Sequence, residues 1–335
     1  MAGASARMLK ILSSLWLTIG LLVSVAVLLS LTRFLEFRIG YALAIPFAAL
    51  FINLLAAVAV NARIQKNIGL LVFHLSLAAI ALLASLGHLM SLKGHVEITE
   101  GAAFEPADVV AEAGPLHPWR LDEVKFIQGG YEIKYLPGMR RRDTQSHVMV
   151  PQQGRWRSVV VGDDVPLVQG GYRFYTSFNK GFAPVLTFTG ADGESRTGSI
   201  HMPSYPLNFD NQGNEWHPPN SSAPVVFWLK IDKPVHRETS AWSFAKPENP
   251  RLVVNDGKVR HELAVGDQVS LAGGVLKFTD LRTWMGYTIF YDPSVFWMLA
   301  AVVVGVSGLA WHIFNTLRKT AWDRGTQVKA EGHAD

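Results

Sequence analysis

The sequence predicts a membrane α+β protein, with four transmembrane helices and a large β-rich, sandwich-like extracytoplasmic domain between helices 3 and 4. Three observations carry that prediction. Apolar runs of membrane length lie at the two ends of the chain, basic residues gather on one side of them, and the stretch between is polar, turn-rich and patterned with period two. The chain averages, 49% apolar and 17% charged, conceal this unevenness.

Residues 1–92 are expected to hold three spanning helices, at about 11–31, 40–60 and 68–90. Each run has about twenty nearly uncharged positions, enough to cross a ~30 Å hydrocarbon core at about 1.5 Å per residue. The first follows Arg7 and Lys10, as the apolar core of a signal peptide does. It is read as a span because no small-residue cleavage site ends it and two more apolar runs follow at once. A fourth helix is expected within 292–317, and 318–335 as a cytoplasmic tail whose end, "QVKAEGHAD", reads as disordered.

With the four helices alternating in direction, Arg7 and Lys10, Arg63 and Lys66, and Arg318, Lys319, Arg324 and Lys329 fall on one side, which the positive-inside rule makes cytoplasmic. Arg33 and Arg38 on the other side dilute the asymmetry without reversing it. Both termini are then expected in the cytoplasm and residues 93–291 outside, on a multi-pass protein of the cytoplasmic (inner) membrane whose large domain is periplasmic or extracytoplasmic.

That outer domain alternates in "HVEITEG", "YEIKYL", "RWRSVVVG", "GYRFYTSF", "APVLTFTG", "APVVFWLKI", "RLVVND" and "VLKFTD", separated by Gly-Gly, Pro-Gly, Asp-Gly and Pro-Pro punctuation. Strands in two packed sheets are the expected result, in a domain large enough to bury its own core.

The chain has no cysteine, which removes covalent c-type haem attachment to it, thiol redox chemistry and cysteine-ligated iron–sulfur or zinc sites. Phosphate loops, dinucleotide fingerprints and the common metalloprotease and hydrolase motifs are also absent from the sequence. The net charge of +4 comes largely from the membrane-flanking basic residues, so no nucleic-acid partner is expected; the lipid bilayer is.

The third apolar run, "NIGLLVFHLSLAAIALLASLGHLMSLKG", carries His74 inside it and His88 near its far end. An ionisable group at that depth is costly unless it is paired or functional. The fourteen-residue separation leaves the two rings on one face but ~21 Å apart, too far to share one ion. His312, in "GLAWHIF", falls near the cytoplasmic end of the last helix, and counting from the helix ends puts it at a depth similar to His74. Neutral imidazole is a good axial ligand for haem iron, so haem is the expected cofactor. The plainer alternatives are a polar helix–helix contact for His74, and interfacial hydrogen bonding for His88 and for His312 beside Trp311. His95, His117, His147, His201, His236 and His261 read as ordinary surface or core residues, and His217 in "NEWHPP" as a loop residue.

Three helices, an outer β domain, a last helix and an imidazole in helix three: this order resembles the ResB (CcsB) family of System II cytochrome c biogenesis proteins. The pieces that carry the resemblance are "SLWLTIGLL", "LVFHLSLAAIALLASLGHLMSLKGHVEITEG", "FYTSFNKGFAPVLTFTG", "SIHMPSYPLNF" and "WMGYTIFYDPSVFWMLAAVVVGVSG", the last with Asp292-Pro293 before the final helix. The resemblance implies a chain that works with a CcsA/ResC-like membrane partner to carry haem b outward and present it to apocytochrome c. It implies His74 as an axial ligand of the haem iron, with the opposite ligand from the partner; His88 and His312 remain secondary candidates. The partner's tryptophan-rich haem-handling segment is absent here and the outer domain is short for the family. A non-catalytic or co-catalytic subunit of a cytochrome c haem lyase complex, serving one class of cytochrome, is therefore expected. The alternative is a b-type haem subunit that oxidises quinol and passes electrons to an outer cytochrome, for which the chain offers only an incomplete second histidine pair.

Overall fold

The computed structural model describes residues 2–34, 40–207, 210–219, 223–231 and 236–331. Arg38 and the last four positions of the expected tail lie outside the described residues. The chain divides into a helical unit (Met1–Leu92, Ala113–Pro118, Tyr291–Asp335) and a β unit (Lys93–Glu112, Trp119–Phe290).

The helical unit contains α1 (Ala2–Leu12), α2 (Leu15–Phe34), α3 (Ala44–Val60), the short α4 (Ala62–Lys66), α5 (Ile68–Met90) and α6 (Val295–Glu331). Among the described residues, three helical stretches are long and apolar enough to cross a membrane: Tyr41–Val60, Ile68–Met90 and Val295–Arg318. The first expected span, 11–31, is instead divided at Ser13 and Ser14, leaving the shorter apolar helix Leu15–Leu31. The break is stable because its freed carbonyls are satisfied. The Ser13 hydroxyl donates to Lys10 O (3.1 Å), and the buried amide of Asn53 in α3 donates to Leu12 O (2.6 Å) and Ser14 O (3.3 Å). Thr18 returns the bond, its hydroxyl donating to Asn53 Oδ1 at 2.7 Å. The buried amide thus satisfies two carbonyls that hydrocarbon would leave unpaired. At the other end, α6 runs on to Glu331, so the first part of the expected tail is helical.

The β unit contains fifteen strands among the described residues. They are β1 (Leu92–Thr99), β2 (Val110–Ala113), β3 (Ile127–Tyr135), β4 (Arg141–Gln152), β5 (Arg155–Val161), β6 (Leu167–Gln169), β7 (Tyr172–Gly190), β8 (Ser195–Ser199), β9 (Gly213–Trp216) and β10 (Val225–Lys230). There follow β11 (Trp242–Ser243), β12 (Arg251–Asn255), β13 (Arg260–Ala264), β14 (Gln268–Leu271) and β15 (Gly274–Tyr291). They build three sheets where two were expected: a seven-stranded sheet β2-β1-β15-β7-β6 with β14 on β15 and β8 on β7, and four-stranded sheets β13-β12-β10-β9 and β11-β3-β4-β5. "GYRFYTSF" and "APVLTFTG", expected as separate strands, are one continuous β7.

Local chemistry accounts for the strands. In β10 the alternation is clean, with Val225, Phe227 and Leu229 buried and Val226, Trp228 and Lys230 exposed. The β4–β5 hairpin turns on Gln153 (φ 50°) and Gly154 (φ 74°), both in the left-handed region that a type I′ turn requires. Phe182 of β7, Phe227 of β10, Leu252 and Val254 of β12, Phe278 of β15 and Ile133 of β3 are all essentially inaccessible and belong to one cluster. One core therefore serves all three sheets.

A buried polar network ties β3 and β4 to β15. The Tyr287 hydroxyl donates to Gln128 Oε1 (2.6 Å) and lies 2.7 Å from Ser146 Oγ, which accepts from Gln128 Nε2 (3.0 Å). Burial pushes the Tyr287 phenol well up, so it stays a neutral donor. Such a closed set is strong because no member is left unpaired. Tyr287→Phe strips Gln128 Oε1 of that donor and is expected to destabilise the β unit by about 1–3 kcal/mol. Chemical denaturation followed by tryptophan fluorescence reads this as a lower midpoint; unchanged unfolding contradicts it.

Candidate functional site

The candidate site is built on α5. Asn67 starts the helix, its Oδ1 accepting from Leu70 N–H at 3.1 Å, and Ser91 ends it. His74 is half-buried, and its Nδ1 lies 2.8 Å from the carbonyl oxygen of Leu70, one turn earlier. A carbonyl only accepts, so Nδ1 carries the proton and donates. In the neutral ring the lone pair is then on Nε2, the nitrogen that could bind a metal. The Phe73 ring packs edge-on at 5.6 Å between centroids.

Packing of α5 on α6 sets where this ring faces. A Cβ on Gly69 would lie 2.7 Å from Gly308 O and 2.8 Å from His312 N, and one on Gly305 would lie 3.0 Å from Ser76 Cβ. Gly69, Val72 and Ser76 thus face α6, and the absence of side chains lets the two backbones approach. At about 100° per residue His74 is roughly 165° round the helix from that stripe. It shares instead the α3 side, where the Ser85 hydroxyl donates to Ala44 O (2.9 Å) and the His88 ring stacks on Phe47 (5.9 Å, 12°).

The same contacts fix the level of His312. Its backbone lies beside Gly69, five residues before His74, which is roughly 7–8 Å along the helix axis. The His74 ring reaches back to Leu70 O, toward that same level, so what separates His74 from α6 is the side of α5 it faces. His312 Nδ1 is buried and has no hydrogen-bond partner among the described residues. His74 and His88 share a face but are separated by the buried small residues Ala78, Ala81 and Ser85.

The far end of α5 carries polar groups to which sequence reasoning gave no site role. Asp292 Oδ1 accepts from both the backbone N–H (2.9 Å) and the hydroxyl (2.7 Å) of Ser294 at the start of α6, and Ser294 Oγ is where a Cβ on Gly87 would fall. The loop 113–118 closes over the last carbonyls of α5: Leu116 N–H donates to Leu89 O (2.9 Å), and buried His117 contacts Met90 O through Nδ1 (2.8 Å). The His117 ring meets Tyr291 edge-on at 4.8 Å. Within the β unit His201 is also more than a surface residue, its nitrogens reaching Thr99 Oγ1 (2.8 Å) and Glu97 Oε2 (3.3 Å) while its ring stacks on Trp284 (4.9 Å). His95 and His217 are exposed.

None of the curated proteins compared with the chain matches it. The model of the ResB-like family matches residues 58–334, most of the chain.

The α5–α6 register is directly checkable because the chain contains no cysteine. Ser76→Cys with Gly305→Cys is expected to form a disulfide on mild oxidation, since the Cβ positions are close. Adding Gly69→Leu, whose side chain meets backbone on α6, is expected to reduce that cross-link severalfold; equal yield with and without the leucine contradicts the packing.

Proposed function

The chain belongs to the ResB-like family and so has a role in cytochrome c biogenesis; on that premise we propose that it holds haem b on His74 within the membrane. It then presents the haem, together with a CcsA/ResC-like partner, for covalent attachment to apocytochrome c. The observation that supports this reading is the Nδ1–H bond from His74 to Leu70 O, which leaves Nε2 as the coordinating nitrogen on a half-buried ring. A single imidazole of defined tautomer suits a shared ligand set, with the second axial ligand from the partner. The α6 helix, with His312, packs on the Gly69 side of α5, and His74 lies on the side shared with α3.

In this reading the termini are cytoplasmic and the β unit is outside. Haem enters between helices near the cytoplasmic leaflet, is held by His74, and passes to the partner's outer site, while the β unit holds the apocytochrome or braces the partner. The chain contributes position and orientation, a co-catalytic share in which geometry lowers the barrier without a nucleophile or acid–base pair of its own. His88, stacked on Phe47, and His312, with its buried Nδ1, are secondary ligand candidates.

The test is the absorption spectrum of the chain purified with its membrane partner. His74→Ala is expected to lower haem content at least tenfold, on the order of what loss of a ligand or its support costs. Added imidazole is expected to restore the band, and cytochrome c maturation is expected to fall in parallel. His88→Ala and His312→Ala are expected to keep most of the haem. An unchanged haem band and normal maturation in His74→Ala overturn the reading.

A further inference from the structure

The β unit contains a second polar constellation that the proposed function does not use. Thr176, Phe178 and Lys180 lie at alternate positions of β7 and so share one face of the strand. Thr176 and Lys180 are buried, whereas Phe178 is 66% exposed, so this face opens to solvent between them. The opening is a cavity of about 380 Å³, walled by Tyr135, Arg141, Asp163, Lys180 and Tyr205, with Arg140 at its exposed rim.

The charges around it are unequally committed. Arg141 is fully engaged: it pairs with Asp163 Oδ1 (3.1 Å), donates to Ser177 O (3.1 Å) and lies over the Phe178 ring (4.1 Å). Asp163 also accepts from the Thr176 hydroxyl at 2.7 Å. Lys180 is only 1% exposed, yet its Nζ makes no hydrogen bond or ion pair among the described residues. The Phe178 ring lies 5.8 Å from it. An ammonium withdrawn from water to this degree is costly, and Asp163, already held by Arg141 and Thr176, offsets that cost only in part.

We propose that this cavity binds a carboxylate carried on a short apolar arm, with Lys180 as its counter-ion, Phe178 against the arm and Arg140 drawing the anion to the mouth. The cavity volume is that of a small acid or one acidic substituent, at the low end of ligand pockets. The proposal is independent of haem ligation by His74. Two sources share the chemistry: a free small acid, or a carboxylate arm of a larger molecule such as a porphyrin.

Lys180 also makes the binding pH-dependent. Burial, reinforced by Arg141, lowers its pKa to about 7, with Asp163 acting the other way. The other titratable groups facing it are the Tyr135 phenol, pushed up to about 12, and Tyr205, also raised; Asp163 is held by Arg141 and Thr176. In the free protein the amine is mostly neutral above that pH, so taking up a carboxylate requires taking up a proton. Affinity is then expected to fall by about tenfold per pH unit above about 7 and to level off below it.

The test uses the full chain carrying His74→Ala, which removes iron ligation at that residue, in detergent, titrated calorimetrically with 3-phenylpropionate and with its uncharged amide, and then with iron protoporphyrin IX and its dimethyl ester. The expected result is that at least one acid binds and its uncharged counterpart does not. Binding weakens at least tenfold in Lys180→Met, weakens severalfold in the exposed-rim variant Arg140→Gln, and follows the stated pH profile. Binding of 3-phenylpropionate assigns the free-acid source, and binding of the porphyrin acid alone assigns the carboxylate arm. If neither acid binds, if the uncharged forms bind equally, or if Lys180→Met and Arg140→Gln both leave binding unchanged, the proposal is wrong.

Discussion

Inside hydrocarbon a polar group can be satisfied only by the protein itself, and this constraint shapes the helical unit at several of its polar positions. His74 meets it by donating Nδ1–H to the carbonyl of Leu70 on its own helix, and that bond decides which nitrogen remains for a ligand. Asn53 meets it by reaching out of α3 to the carbonyls left open where α1 gives way to α2. Ser85 meets it through Ala44 O, and the end of α5 meets it through Leu116 and His117. The same rule thus places a break, closes a helix end and orients the candidate ligand.

Close approach of α5 and α6 follows from a different economy. Gly69 and Gly308 bring backbone against backbone and Gly305 makes room for the Ser76 side chain, where dispersion replaces the hydrophobic driving force that lipid does not provide. Because that contact occupies one side of α5, His74 is turned to the other. In the β unit water is available, so the argument changes: one apolar core serves three sheets, and the Gln128–Tyr287–Ser146 network fixes how two of them meet. Lys180 stands apart from both solutions, a buried amine with an open cavity in front of it.

How much of this could be read from the sequence depends on whether the deciding interaction is local. The helix at 68–90 was legible because a long apolar run between Asn67 and Ser91 is its own evidence, and the imidazole inside it was conspicuous by cost. The break at Ser13–Ser14 was not, since hydropathy cannot anticipate that Asn53, some forty residues away, satisfies its carbonyls. Period-2 patterning found strand segments such as β10 but divided β7 at Asn179–Phe182, where the alternation lapses because the strand is buried continuously from Lys180 onward. Two sheets were expected and three formed because sheet membership rests on non-local pairs such as β1 with β15. The pocket at Lys180 gave no signal in spacing at all.

The proposed role of His74 comes down to one bond, from its Nε2 to haem iron. Electron–nuclear double resonance on the ferric complex of the chain with its membrane partner, labelled with ¹⁵N-histidine in this chain alone, measures that bond directly. The account predicts a strongly coupled axial ¹⁵N in the parent that disappears in His74→Gln and persists in His88→Gln. A coupling that survives in His74→Gln, or none in the parent despite bound haem, contradicts it.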